Sequence, residues 1–322
     1  MASFASCWNM IQTKHFGEIE VFDSHIHFFS SRFLRTLVSL SGYDGNDPLE
    51  RAASLTGWNL PPEDPAEMGT VWQTELRKHG VDGAMLIGSV PGDQESVSAA
   101  VSRAPGLFAG AFMIDAGKDG AGYVAERAFT DLGMKVVCLF PAMFDFKLSC
   151  EGVRDILSVA ASIPGTAAFV HCGALSVGAR KKLGVPSRFN MAYSNPLDVH
   201  ALASDFNALP FIVPHFGGGM FREALMLADL CPNVFLDTSS SNKWMNYYTP
   251  GLKLIEVFKS AIGICGTGRL LFGTDSSFFP RGWVKGVFDE QVNAVSECGV
   301  SEVDARNIFG LNFKSLLQLQ SG

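Results

Sequence analysis

Eight short apolar runs, seven of them closed by a polar residue and each followed by a helical pattern, leave this chain few folds to choose from. They are IEVFDSHIH (19–27), GVDGAMLIGS (80–89), LFAGAFMID (107–115), MKVVCLFP (134–141), TAAFVH (166–171), PFIVPH (210–215), NVFLDTS (233–239) and RLLFGTD (269–275). Runs of this length, bounded by turn residues, suit strands buried on both faces, as in a parallel sheet. Between them lie helical patterns such as TVWQTELRKHG, GYVAERAFTDLG and GLKLIEVFKSAIG. After the eighth run come WVKGVFDEQVNAVSECG and a last helix, EVDARNIFGLNFKSLLQLQ. Eight strand–helix repeats predict an α/β fold, a (β/α)8 TIM barrel with a C-terminal helix. A doubly wound sheet is the rival, and it leaves the strand count unexplained. The 322 residues fit one barrel domain spanning 1–322.

Spacing locates two insertions. The runs ending at 89, 115 and 141 are each 26 residues apart, the length of a bare strand–helix unit. The steps from 27 to 89 and from 171 to 215 are longer, at 62 and 44 residues. The first excess, 28–69, is rich in Pro, Gly and acids; the second is SVGARKKLGVPSRFNMAYSN. Both leave the C-terminal ends of strands, in the β1–α1 and β5–α5 loops, where barrels carry their sites. They are expected to be lids or substrate walls.

Composition excludes several classes. A chain 47% hydrophobic and 18% charged is neither disordered nor collagen-like. A net charge of −7 gives no global field to draw it to nucleic acid or acidic membranes. The seven cysteines, at 7, 138, 150, 172, 231, 265 and 298, are odd in number and form no C-x-x-C. Isolated thiols in a chain of this size imply a reducing, cytoplasmic setting. The first residues, MASFASCWNMIQTKHFGE, lack the pattern of a signal peptide, and no apolar run reaches the roughly 20 residues of a membrane span. The expected partner is a small-molecule substrate, with a homodimer left open.

The chemistry gathers at the strand ends. In Asp23-Ser24-His25-Ile26-His27, strand alternation points His25 and His27 to one side, where they can chelate one metal ion. His171, His215 and Asp275 close three other apolar runs, where a charge or imidazole is costly unless paired or ligated. Four of the seven histidines thus converge with a carboxylate on one rim. Such N/O ligands suit Zn2+, with Mn2+ or Fe2+ as alternatives.

The order HxH, H, H, D on strands one, five, six and eight resembles the amidohydrolase superfamily. PHFGGGMFREAL, NVFLDTSS, LLFGTDSSFFP and ARNIFGLNFKSLL are similar to its amidohydrolase-related branch, which includes α-amino-β-carboxymuconate-ε-semialdehyde and γ-resorcylate decarboxylases and many predicted hydrolases. The resemblance covers about 19–318. Carried over by position, it implies that His25, His27, His171 and Asp275 are metal ligands and that His215 is the acid/base or charge-stabilising histidine. Some members of the superfamily hold two metals bridged by a carboxylated lysine at the end of strand four. Here Lys135 stands at the start of that strand, about 16 Å from the rim. One divalent ion is therefore expected.

Other residues carry secondary expectations. Asp23 either hydrogen-bonds a ligand histidine or is a structural strand-entry residue. Asp237 either orients His215 or caps its loop. Cys172, of opposite parity to His171, is expected to face the helix layer. Arg188, Arg222 and Arg281 fall in rim loops and match a carboxylate or phosphate. With Lys181 and Lys182 they suggest an anionic substrate. Trp58, Trp244, Tyr247, Tyr248, Phe278, Phe279 and Trp283 either wall that substrate or pack the loops. The first functional reading is a metal-dependent hydrolase of an amide, lactone or ester, with Asp275 carrying the proton and His215 stabilising the oxyanion. The alternative is a metal-dependent non-oxidative decarboxylase of an aromatic or unsaturated acid. A non-catalytic metal-bound barrel would show a gap in the ligand set, and the sequence has none.

Overall fold

The computed structural model describes residues 10–239 and 243–319. Cys7 and the other residues of 1–9 lie outside the described residues, as do Ser240 and Gln320 at the ends of two phrases quoted above. An N-terminal hairpin, β1 (Ile11–Thr13) and β2 (Gly17–Ile19), precedes the barrel. One eight-stranded parallel sheet follows in chain order: β3 (Phe22–Phe28), β4 (Gly83–Gly88), β5 (Phe108–Ile114), β6 (Val136–Leu139), β7 (Ala167–Val170), β8 (Phe211–Val213), β9 (Val234–Asp237) and β10 (Leu270–Leu271). β3 and β10 do not form a full ladder. Their seam is closed by Ser24 N–H to the Phe272 carbonyl (2.8 Å), Asp275 N–H to the His25 carbonyl (3.0 Å) and His27 N–H to the Ser276 carbonyl (2.8 Å). The architecture is a (β/α)8 TIM barrel, and the strands counted one to eight in the sequence are β3 to β10.

Strand alternation sorts the core into two layers. Met85, Ile87, Ala111, Met113, Cys138, Phe169 and Ile212 fill the lumen, while Leu86, Phe112, Val170, Val213 and their neighbours pack on the helices. Cys172 is buried in the helix-side cluster, as its parity predicts. Phe313 and Leu317 of the last helical segment join the lumen cluster beside Phe22, against which Phe313 packs at 5.4 Å. The expected last helix runs on from Glu302 to Leu316, with a π-helical stretch at 307–311. Gly310 is needed there, because a Cβ would stand 2.8 Å from the Glu20 carbonyl oxygen.

The first insertion is more regular than its composition implies. Asp47-Pro48 and Asp64-Pro65 look like loop punctuation, yet each pair starts a helix. Asp47 accepts from Glu50 N–H and Asp64 from Ala66 N–H, with proline in the first turn both times. The helices run Pro48–Thr56 and Pro65–His79, and another spans Ser31–Leu40. The Ser31–Leu40 helix buries Phe33, Leu34, Leu37 and Val38. These pack with Trp58 and with Ala179, Leu183 and Val185 of the second insertion in a cluster of their own. The two insertions therefore form one apolar cap over the C-terminal rim. Among the described residues, no helix is long and apolar enough to cross a membrane.

Candidate active site

The barrel delivers His27, His171, His215 and Asp275 to one cleft of about 400 Å³, with His25 buried just behind it. His25 and His27 leave β3 with ring centres 5.1 Å apart. The ring of His215 lies 5.0 Å from that of His25 and 5.5 Å from that of His171. His171 follows β7 directly, and Phe140 stacks on its ring at 5.1 Å. Pro214, which has no N–H to continue a ladder, comes immediately after β8. His215 and Phe216 then take left-handed backbone, at φ 56 and φ 51. Asp275 does the same at φ 58. Such backbone costs on the order of 1–3 kcal/mol for a residue with a side chain and gathers at functional sites.

Each ring of the histidine pair is fixed from behind. His25 Nδ1 lies 2.7 Å from Asp237 Oδ2, and His27 Nδ1 lies 2.9 Å from Ser89 Oγ. Both Nε2 atoms are thereby turned to one point, 3.4 Å apart, with Asp275 Oδ1 at 3.4 Å from His27 Nε2 and 3.9 Å from His25 Nε2. Two nitrogens 3.4 Å apart, each 2.0–2.1 Å from a shared ion, subtend about 110° there, close to the tetrahedral angle of zinc sites. His25, His27 and Asp275 form a group that could hold a metal ion. His171 lies outside that compact group. Its Nδ1 is buried and, among the described residues, meets no hydrogen-bond partner, an unsatisfied donor atom at the same cleft.

The electrostatics fit a cation. Burial lowers the pKa of His27 to about 4, against the pull of Asp275. Burial and the neighbouring histidines hold His171 well below the usual imidazole range, and burial with His25 lowers His215. These three rings are neutral donors at pH 7. For His25, burial is outweighed by Asp237, Asp275 and Asp23, and its pKa rises. For Asp275, burial is outweighed by His25, His27, His215 and Arg281, and its carboxyl falls below the usual range. Neutral His27 and His171 beside an ionised Asp275 are in the state a divalent metal requires of its ligands, and His25 gives up its proton on binding.

The secondary expectations divide. Asp23 touches no imidazole ring. Its carboxylate accepts from His25 N–H (2.9 Å), Thr274 N–H (3.1 Å), Thr274 Oγ1 (2.5 Å) and Trp283 Nε1 (2.8 Å). The cause is an irregularity in β3 between Asp23 and Ile26, which breaks the parity that would carry Asp23 to the histidines. Asp237 orients His25, not His215; the Nδ1 of His215 donates to the Ser239 carbonyl at 2.9 Å. Lys135 precedes β6 and does not line the cleft.

Of the three arginines, only Arg281 lines the cleft. It donates to the Asp275 carbonyl (3.1 Å) and Ser277 Oγ (2.8 Å) and lies 4.6 Å over the Phe278 ring. Arg222 is 81% exposed and paired with Glu223, and Arg188 borders a separate shallow depression beside Arg180. Both lie in rim segments, but Arg222 stands in the first turn of the Phe221–Leu230 helix and Arg188 in a loop that leads away, so neither reaches the histidines. Lys182 lines the cleft, donating to the Thr56 carbonyl at 2.8 Å, and Lys181 does not. Among the expected wall residues, Trp58 and Phe278 line the cleft, stacked at 4.4 Å. Phe279 packs on Trp72, Trp283 on Phe288, and Trp244 on Phe221; Tyr248 bonds Phe221 N–H and the Gly219 carbonyl, and Tyr247 is exposed.

Sequence reasoning passed over Ser89, Ser239 and Lys243. Ser89 and Ser239 each close an apolar run, the same signal that singled out the histidines. Lys243 lines the cleft but follows no strand directly, so nothing in the pattern marks it.

A family model described as amidohydrolase matches residues 22–317. Among solved structures, the 5-carboxyvanillate decarboxylase LigW from Sphingomonas paucimobilis aligns with TM-score 0.62 and 14% identity over 94% of this chain and 100% of its own. A candidate 2-pyrone-4,6-dicarboxylic acid hydrolase from Pseudomonas putida gives 0.60 and 18% over 95% and 100%. A zinc-bound amidohydrolase from Burkholderia multivorans gives 0.55 and 16% over 94% and 100%. At these identities the structures speak for the fold. A search of curated proteins gives no match. The family match spans nearly the whole chain, and the chain belongs to the amidohydrolase family.

Proposed function

We propose that the chain is a metal-dependent hydrolase of an amide, lactone or ester in a small anionic substrate. The observation that carries this is the convergence of His25 Nε2, His27 Nε2 and Asp275 Oδ1, with both Nδ1 atoms committed elsewhere. His25, His27, His171 and Asp275 would hold one divalent ion, with zinc the best match to the donor set. When bound, such an ion supplies Lewis acidity, acidifying water and polarising a carbonyl.

The chain's own residues do the rest. Asp275, ionised at neutral pH, accepts the proton of the attacking water and returns it to the leaving group. His215, with its Nδ1 tied to the Ser239 carbonyl, presents Nε2 to the cleft and steadies the developing oxyanion. Arg281, Lys182 and Lys243 give the cleft three cations, and among the described residues none has a carboxylate ion-pair partner. They would hold the substrate's anionic group, Arg281 nearest Asp275. The joined insertions wall the cleft as a cap over the substrate.

Non-oxidative decarboxylation of an aromatic acid would use the same groups, with Asp275 or His215 protonating the carbon that loses carbon dioxide. The parallel Trp58–Phe278 stack, a surface suited to a flat ring, is the observation in its favour. The decarboxylase and the candidate hydrolase among the structural relatives act on carboxylated rings by name, which supports an anionic, planar substrate. The test is a metal-loaded screen of esters, lactones and aromatic carboxylic acids. Release of a new acid without carbon dioxide supports hydrolysis, and release of carbon dioxide replaces it with the decarboxylase reading.

A further inference from the structure

The Ser239 hydroxyl occupies a place for which the chemistry above has no use. Ser239 follows β9 by two residues, is fully buried, and touches two histidines whose rings lie 5.0 Å apart. Its Oγ lies 2.9 Å from His25 Nδ1 and 3.0 Å from His215 Nδ1. Its carbonyl accepts from His215 Nδ1 at 2.9 Å, and its N–H donates to Asp237 Oδ1 at 2.5 Å. The geometry points to Ser239 as a positioning residue that locks His25 and His215 into one tautomer and one ring orientation, a role that rests on the reaction proposed for this centre.

Donor and acceptor logic fixes the hydrogens. A carboxylate and a carbonyl only accept, so the hydrogen on His25 Nδ1 is directed to Asp237 and that on His215 Nδ1 to the Ser239 carbonyl. The Ser239 hydroxyl oxygen, with two lone pairs, takes the second branch of each N–H. In the neutral rings both Nε2 atoms are then left with lone pairs, which is the form needed to bind an ion or exchange a proton. Asp237 alone would fix His25. Only Ser239 ties His25 and His215 together.

The loop that carries Ser239 is held without slack. Gln291, fully buried on the Lys285–Glu297 helix, donates through Nε2 to the Thr238 carbonyl (3.0 Å) and the Gly273 carbonyl (3.1 Å). Its Oε1 accepts from Thr238 Oγ1 at 2.6 Å. Gly273 then presses on the network from the neighbouring strand end. A Cβ at that position would stand 2.8 Å from His25 Cβ and 2.9 Å from Ser239 Cβ.

The test labels the seven histidines with 15N and reads their tautomers by long-range 1H–15N correlation in the metal-free and zinc-loaded chain. The wild type should show His25 and His215 each as a single Nδ1–H form. In Ser239→Ala the His215 ring, held by the carbonyl alone, should populate a second form while His25 stays anchored by Asp237. Turnover should fall by on the order of 10-fold with KM nearly unchanged and zinc content retained. Ser239→Thr, which keeps the hydroxyl, should restore both readings; if it does not fold, the alanine variant decides alone. Unchanged tautomers in Ser239→Ala, or lost turnover without a tautomer change, would overturn the positioning role. A tautomer change in a protein that turns over no substrate would uphold the positioning role and overturn the reaction reading.

Discussion

Asp275 is the residue on which binding and proton transfer meet. Asp275→Asn keeps the size and one oxygen donor but accepts a proton poorly. It should fold and hold metal while activity falls by about 10²–10⁴-fold, measured as kcat/KM at saturating metal. His215→Asn should also slow turnover yet leave metal content nearly unchanged, whereas His171→Ala should lose metal first and activity as a consequence. Arg281→Met should raise KM by about 10- to 100-fold, or about 1.4–2.7 kcal/mol if KM tracks binding, with Arg188→Met and Arg222→Met as unaffected controls. Asp23 gives a pH signature. Burial raises its pKa to about 6, even against its four donors. A raised carboxyl stabilises the fold fully below its unfolded pKa, and that contribution is lost as pH climbs through about 6. Relative to metal-free Asp23→Asn, the metal-free wild type should lose about 2–3 kcal/mol in urea unfolding between pH 4 and pH 7. At this scale the sequence showed the five polar residues at four strand ends, because a polar atom closing an apolar run is visible in one dimension. It did not separate Asp23 from Asp237. That choice turns on an irregularity in β3 and on which strand lies opposite, and neither leaves a residue-type signature.

Elements read well where hydrophobic period decides and poorly where capping does. Helical patterns such as GYVAERAFTDLG and GLKLIEVFKSAIG follow from their apolar spacing and are helices in the structure, but Asp47-Pro48 and Asp64-Pro65 read as loop until the N-cap bonds are seen. The run 269–275 reads as a seven-residue strand, while β10 pairs only Leu270 and Leu271. Left-handed Asp275 turns the chain after the ladder so that its carboxylate reaches the histidines. Arg188 and Arg222 illustrate the same limit. Rim position is legible, but the direction a loop takes after it is not. Gly273 yields a prediction at this scale. Gly273→Ala drives a methyl into His25 and Ser239, and chemical denaturation should show a loss of about 1–3 kcal/mol, with metal affinity falling alongside it.

Over the whole molecule, the barrel sets the chemistry. Eight parallel strands point their C-terminal ends one way, so residues more than two hundred positions apart in sequence, such as His25 and Asp237, meet at 2.7 Å. The two insertions add an aromatic and cationic wall at the same rim, where Lys182 lies 5.6 Å over Trp58 and Trp58 stacks on Phe278. The account depends on one ion at that rim. The direct measurement is elemental analysis of metal-loaded, desalted protein, wild type beside His27→Ala, with folding checked by thermal unfolding. One divalent ion per wild-type chain, lost in the folded variant, is the predicted result. Two ions per active chain, or full occupancy in His27→Ala, would contradict the account.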